Sequence, residues 1–475
     1  MIALVLLPVS FAQSIVLARL LPIEYFGIYA AVSSILALSG TLFDFGLGSA
    51  LVHRAPETED EQKAIANYFT LYLVFNTAWA LVMLPFGYLT MSGMQRFVFV
   101  ILLAASYLSR LTNAPRMLLI RRVQHRRLAL IDLITGISVA VISILIAWFS
   151  RSIWALLVGS ILTFVWSVIG LYLWKPFWTP RLAWNPPILT YLLRFGGRVL
   201  VNNLLDSSLD NVDNLWTGRY LGDVQLGYYS RAFRFAIYPR MLLSTPVNVV
   251  AIGTYAELKY DRRRLSEAFY RTNYFLIRAG FLLAGWLAVI APEFIRLLIG
   301  ERWLPMLQAF RLMLVFALLD PIKITIAGVL MAVGRPEKIT LVRLSQFIAL
   351  IAGLFLLGFS FQISGVALAM DLMITVGILL SLYFVRPYVD FSISRLLLVP
   401  VLSLLAGFSF LWLIFSNLHG VESDWLALLV KSILFVLGYL GILLALERKE
   451  LYQSLGQVID LRAIKVRIRS WRKVD

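Results

Sequence analysis

Residues 19–29 read Arg19-Leu20-Leu21-Pro22-Ile23-Glu24-Tyr25-Phe26-Gly27-Ile28-Tyr29, and residues 219–229 read Arg219-Tyr220-Leu221-Gly222-Asp223-Val224-Gln225-Leu226-Gly227-Tyr228-Tyr229. At one fixed offset of 200 residues Arg, Leu, Gly and Tyr coincide: Arg19 with Arg219, Leu21 with Leu221, Gly27 with Gly227, and Tyr29 with Tyr229. Each stretch joins two long apolar segments, and each follows an odd-numbered one, so the two halves have the same orientation. This is the pattern of a parallel repeat related by an axis along the membrane normal. Locally, Pro22 or Gly222 breaks one helix, and Gly27 or Gly227 lets the next start close by.

The composition agrees with a membrane setting. The chain has 475 residues, 60% hydrophobic and only 15% charged, with a mean hydropathy of +0.83. Soluble domains carry roughly a quarter charged residues, so a string of soluble domains is excluded. Cys is absent, which removes disulfide frameworks and thiolate chemistry. His53, His125 and His419 are too scattered for a zinc site. There is no Walker A pattern and no long outer loop for a catalytic site, so neither an enzyme nor a cofactor or metal is expected.

A spanning helix needs about 20 mostly apolar residues. Fourteen segments qualify: 2–18, 27–51, 66–90, 97–120, 128–149, 153–174, 188–217, 226–253, 269–291, 305–332, 338–358, 362–385, 395–416 and 424–446. The first reads as a true helix with a missing or misassigned start, because no basic n-region or cleavage site marks a signal peptide. The net charge of +17 sorts by loop. Loops after even-numbered spans hold clusters such as Arg121, Arg122, Arg126 and Arg127, or Arg262, Arg263 and Arg264; those after odd-numbered spans hold only Arg19, Arg96, Arg151, Arg219, Arg296 and Arg302. Basic loops stay cytoplasmic, which places both termini there and explains the charge without nucleic acid. The tail (Arg462, Lys465, Arg467, Arg469, Arg472, Lys473) lies on anionic headgroups or is simply solvated.

The expected fold is an all-α integral membrane protein of fourteen transmembrane helices. Residues 1–174 form an N-lobe of six, 175–187 a Pro-rich cytoplasmic linker, and 188–386 a C-lobe of six. Residues 387–446 add two helices and 447–475 a basic tail. Two such lobes imply a cavity between them and alternating access.

Ionisable residues at membrane depth carry the functional argument, because they face a cavity or a partner. Asn202, Asp206, Asp210 and Asp213 share one face of span seven. Around the turn at Gly222, Asp213 is level with Arg231 and Asp210 with Arg234. Either these pairs merely dock two helices, or some of the arginines attract an anionic substrate while the aspartates couple transport. Asp206 has no Arg at its level, which makes it the candidate for titration. Arg110 lies about 15 Å from the basic loop, level with Ser138; Arg116 is level with Asp132, a structural pair. Arg278 has similar depth and no evident partner. Arg110, Arg231, Arg234 and Arg278 are thus the candidate cavity cations, and Asp44, Asp206, Asp210 and Asp213 the candidate titratable groups. Asp44, between Phe43 and Phe45, faces the cavity or caps a helix break. Asp320 and Lys323 pair with each other, and Lys431 snorkels.

Several stretches resemble the Wzx-type polysaccharide flippases of the MOP superfamily, relatives of lipopolysaccharide and colanic acid exporters. They are Leu17-Ala18-Arg19-Leu20-Leu21-Pro22 through Tyr29, Asp44-Phe45-Gly46-Leu47-Gly48-Ser49-Ala50-Leu51-Val52, Gly218-Arg219-Tyr220-Leu221-Gly222 through Ala232, Ile299-Gly300-Glu301-Arg302-Trp303-Leu304-Pro305 and Gly334-Arg335-Pro336. The resemblance covers the first twelve spans; the family's first helix usually has more chain before it. It implies a fourteen-helix, two-lobed flippase in a bacterial cytoplasmic membrane. The substrate would be undecaprenyl-diphosphate-linked oligosaccharide, driven outward by an H+ or Na+ gradient or by its own gradient, beside polysaccharide assembly machinery. Arg suits a diphosphate. The alternatives are a MATE-like exporter of small molecules, whose cavity would favour acidic residues, and a polysaccharide polymerase or ligase, which would want a large catalytic outer loop.

Overall fold

A computed structural model describes residues 2–54, 61–174, 176–415 and 423–458. The basic tail beyond Val458 lies outside the described residues, as does Lys175 of the expected linker. Among the described residues the regular elements are helices: α1 (Ile2–Leu20), α2 (Ile23–Asp44), α3 (Leu47–His53), α4 (Glu61–Thr90), α5 (Gly93–Arg110), α6 (Asn113–Arg121), α7 (His125–Ser150), α8 (Trp154–Val168), α9 (Pro186–Tyr220), α10 (Asp223–Ala236), α11 (Tyr238–Leu258), α12 (Arg262–Phe294), α13 (Leu307–Ala332), α14 (Pro336–Gly353), α15 (Phe359–Val385), α16 (Ile393–Phe415) and α17 (Asp424–Val458).

Among the described residues, nine helical stretches are long and apolar enough to cross a membrane, and ten if the bent pair α5–α6 is one span. Four more of the fourteen expected segments fall outside that test for physical reasons. The apolar part of α1 is short, Val5–Leu20, and α14 and α15 run together as one stretch, Pro336–Val385. α9 carries the Asn/Asp stripe, and α10–α11 is too polar and is interrupted at Ile237. Large apolar side chains such as Leu89, Phe149 and Trp412 stand 71–82% exposed. Faces of that kind belong in lipid, and the chain is a multi-pass membrane protein.

The chain divides into two compact units: residues 1–235, 298–312 and 340–376 form the first, and 236–297, 313–339 and 377–475 the second. Lipid tails are as apolar as Leu, so helices here associate through close packing of small residues rather than hydrophobic transfer. The first unit does so at the two repeated turns, which meet. A Cβ on Gly27 would sit 1.7 Å from the carbonyl oxygen of Asp223, and one on Gly227 would sit 2.4 Å from that of Ile23. Each glycine abuts the residue four before its counterpart, so the contact is reciprocal at the same offset of 200 residues. Arg302 finishes the corner: its Nη2 donates to the carbonyls of Ala18, Arg19 and Leu21 at 2.6–2.8 Å. It thereby satisfies orphan carbonyls at the end of α1.

The stretch 176–185 is not helical, in keeping with its prolines, and it is fastened to α4. The Ala183 amide donates to Thr70 Oγ1 at 2.9 Å and the Asn185 amide to Asn67 Oδ1 at 2.6 Å. Trp178 is buried edge-on against Phe69.

In the second unit a buried ion pair ties α12 to α17. Arg278 donates to Glu447 through Nε at 2.6 Å and Nη2 at 2.5 Å, with the two side chains only 4% and 9% exposed. The Tyr274 hydroxyl donates to the same carboxylate at 3.0 Å, its ring lies 3.4 Å from the guanidinium carbon, and Tyr439 donates to the Arg278 carbonyl at 2.9 Å. The reading of Arg278 as a partnerless cavity cation is therefore corrected. Its partner lies 169 residues away, beyond any turn-by-turn count. Lys431 is likewise not a snorkelling lysine, since it donates to Glu293 at 2.6 Å. Asp320, fully buried, pairs with Lys323 as expected (3.3 Å) and also with Arg240 of α11 (2.8 Å).

Gly27→Ala and Gly227→Ala each lower unfolding free energy by about 1–3 kcal/mol, the cost of overpacking, read as a reduced thermal midpoint in detergent. Arg278→Ala and Glu447→Gln each cost about 3–5 kcal/mol by stranding a buried partner, while Arg278→Met with Glu447→Leu together recovers most of it.

Candidate functional site

Two helices of the first unit break at membrane depth, and they break beside each other. α2 stops at Asp44 because Phe45 and Gly46 take left-handed backbone (φ 50° and 65°), and α3 restarts at Leu47. The break packs on α9: a Cβ on Gly196 would lie 2.4 Å from the Phe45 carbonyl oxygen. α5 stops at Arg110, and α6 leaves at an angle of 43°. Asp44 and Arg110 thus stand nine and eleven residues from the ends His53 and Arg121, roughly 13 and 16 Å along the axes. Irregular backbone at such depth is tolerated only inside protein or against a wet cavity.

A cavity of about 400 Å³ lies at these breaks. Asp44, Tyr72, Arg110, Asn113, Asn203 and Asp206 line it, with Gly40 and Thr41 of α2. Its size falls within the roughly 300–1,000 Å³ of ligand pockets. Arg110 enters because Gly40 has no side chain: a Cβ there would lie 1.9 Å from Nη2. Arg110 Nη1 donates to the Gly40 carbonyl at 3.2 Å, and the guanidinium lies 4.5 Å from the Trp79 ring centroid. The indole of Trp79 is itself fixed by donating to Ser39 Oγ at 3.0 Å. Asp44, at the negative end of α2's dipole, takes its compensation from Arg110 and from the Tyr72 hydroxyl. Asn113 Nδ2 donates to Tyr72 Oη at 2.9 Å, which leaves the hydroxyl proton for Asp44. The result is a relay of polar groups from α6 through α4 to α2.

Of the eight residues singled out from sequence, three meet here: Asp44, Arg110 and Asp206. Asp206 is not without an arginine, as the level count has it, for Arg343 of α14 lies 2.7 Å from its Oδ1. Asp213 is buried at 2% exposure and accepts from the Tyr229 hydroxyl at 2.6 Å. Arg231, the partner expected for it, lies over the Phe26 ring at 4.5 Å. Tyr229 and Arg231 are two positions apart, about 200° around a helix, so only one of them faces α9. Asp210 and Arg234 are exposed. Arg116 meets Asp132 at 3.0 Å as expected. Sequence reading missed Tyr72, Asn113 and Arg343. Asn113 follows the helix break that Pro115 imposes, and Arg343 stands on a helix 137 residues from Asp206, outside any count along one hairpin.

Known proteins place this geometry. Against a lipopolysaccharide biosynthesis protein, WzxC, of Escherichia coli (strain K12), the chain is 22% identical over 343 residues, covering 70% of this chain and 68% of that one. Among solved structures, the lipid II flippase MurJ in an inward closed conformation superposes with a TM-score of 0.78 at 16% identity, over 95% of this chain and 98% of that one. A multidrug resistance MATE family transporter of the MOP superfamily, inward-facing, gives 0.62 at 16% identity, over 80% and 94%. These likenesses show a fold shared with both solved transporters. Residues 16–308, more than half the length, match the model for polysaccharide biosynthesis proteins, and the chain belongs to that family.

Proposed function

We propose that this protein is a flippase. It carries undecaprenyl-diphosphate-linked oligosaccharide from the cytoplasmic to the outer leaflet of a bacterial inner membrane by alternating access. The observation that carries the reading is the pair of helix breaks at Asp44 and Arg110 around a polar cavity. A lipid-linked sugar needs a wet path for its headgroup and an apolar exterior for its tail, and this arrangement supplies the first within a chain made for lipid. The likeness to a lipid II flippase and the membership in the polysaccharide biosynthesis family support it. On this reading fourteen helices form two six-helix lobes, 1–174 and 188–386, joined by the 175–187 connection, with 387–446 appended. Both termini face the cytoplasm. Arg110 is the headgroup cation, and Asp44 and Asp206 are the groups that an H+ or Na+ gradient titrates. No bond is made or broken, so no cofactor is needed.

A second reading has one observation in its favour. The cavity lining carries two carboxylates, Asp44 and Asp206, against one arginine, Arg110, and an excess of acidic groups suits a cationic small molecule. That is the MATE-like alternative.

A strain lacking the protein separates the two. It is expected to accumulate cytoplasmic-side lipid-linked oligosaccharide, which wild type clears. Arg110→Ala and Asp44→Asn, checked for normal membrane abundance, slow clearance about 10- to 100-fold, the worth of one charge-assisted hydrogen bond. Arg234→Ala stays within about twofold of wild type, as surface substitutions do. If no intermediate accumulates while sensitivity to cationic drugs rises, the exporter reading replaces this one.

A further inference from the structure

Resting on the flippase reading, the cavity has a shortfall: its lining holds one cation against two carboxylates. Arg110 is moreover committed to the Gly40 carbonyl and the Trp79 ring. A phosphate-class anion entering such a lining meets net negative charge. One further cation stands at its edge. Arg343 Nε lies 2.7 Å from Asp206 Oδ1, and the two side chains are 29% and 47% exposed.

We infer that Arg343 is the second cation, beside Arg110, that makes this cavity receptive to a diphosphate, and that Asp206 holds its guanidinium until the incoming anion displaces it. Three features support the exchange. The pair is open to water, unlike Arg278–Glu447 with its 4% and 9% exposure, and a screened pair holds weakly. It is also not the fastener of its helices. The Thr340 hydroxyl donates to Asn202 Oδ1 at 2.7 Å, and these residues lie one turn from Arg343 and Asp206 on the same two helices. The α9–α14 register is thus kept by an uncharged bond while the ion pair opens. Finally, the guanidinium fork that engages a carboxylate matches a phosphate group equally well and binds it more strongly when the phosphate carries two charges. Asp206 therefore serves as a resident stand-in for the substrate's anion, and its release on loading leaves a carboxylate newly exposed to the cavity.

The test is binding of inorganic diphosphate, farnesyl diphosphate and farnesol to the purified full chain in nanodiscs, by calorimetry. Wild type is expected to bind farnesyl diphosphate more tightly than inorganic diphosphate, and farnesol least. Arg343→Ala and Arg343→Gln weaken both diphosphates at least tenfold, and Arg343→Lys less. Asp206→Asn tightens them several-fold, because the competing carboxylate is gone; Asp206→Asn with Arg343→Ala matches Arg343→Ala alone. Thermal midpoints identify any variant that fails to fold. A structural pair predicts the opposite for Asp206→Asn: weaker binding and a lower midpoint, restored by the double variant. That result, or diphosphate binding indifferent to Arg343, overturns this inference and leaves the flippase reading standing. Wild type that ignores both diphosphates but binds tetraphenylphosphonium overturns both.

Discussion

A charge held at membrane depth must be paired, hydrogen-bonded or wetted, because hydrocarbon offers nothing else to stabilise it. Most of this chain's interior architecture answers that demand. Arg278 is closed in by Glu447, Tyr274 and Tyr439; Asp320 has Arg240 and Lys323; Glu293 has Lys431. Each pair has at least one almost fully buried member, Arg278, Asp320 or Glu293, and removing its partner strands that charge, so they fasten α11, α12, α13 and α17. The pairs around the first unit's cavity belong to a different class. Asp206 and Arg343 are partly open, and Asp44 shares its compensation between an arginine and a tyrosine. Water screening makes their partnerships exchangeable. The same constraint thus yields rigidity in one place and a loadable site in another, and exposure decides which.

The backbone obeys the constraint as well. The ends of α2 and α5 leave carbonyls without helical partners, and the chain places both ends at one cavity. The Gly40 carbonyl takes a hydrogen bond from Arg110, so one guanidinium serves a broken helix and the neighbouring carboxylate together. Gly40, Gly46 and Gly196 make this possible by letting side chain and backbone approach where a Cβ would collide. Small residues, rather than apolar bulk, position the site.

Much of this was legible in the sequence where the physics is local. The helical segments follow from runs of apolar residues, and the breaks at Pro22 and Gly222 from backbone chemistry. Arg116–Asp132 and Asp320–Lys323 follow from counting along a hairpin or a helix. The misses share a cause. Asp206–Arg343 and Arg278–Glu447 join residues 137 and 169 positions apart, and no periodicity within one hairpin reaches that far. Asp213 was placed at the right level but given the wrong partner, because level fixes height and leaves azimuth open. The break after Arg110, by contrast, is legible in the sequence: Pro115 has no N–H for the carbonyl of Leu111, four residues earlier, and its ring crowds that carbonyl.

The reciprocal seat of the two repeated turns has an evolutionary consequence. Gly27 rests on the backbone of Asp223, and Gly227 on that of Ile23, so neither turn has a private environment. Most positions of the two turns are free to differ, as four shared letters in eleven indicate. These few positions are not, because an insertion or a bulky replacement in one copy damages the seat of the other. The two glycines are held in place together because each turn is the other's mould.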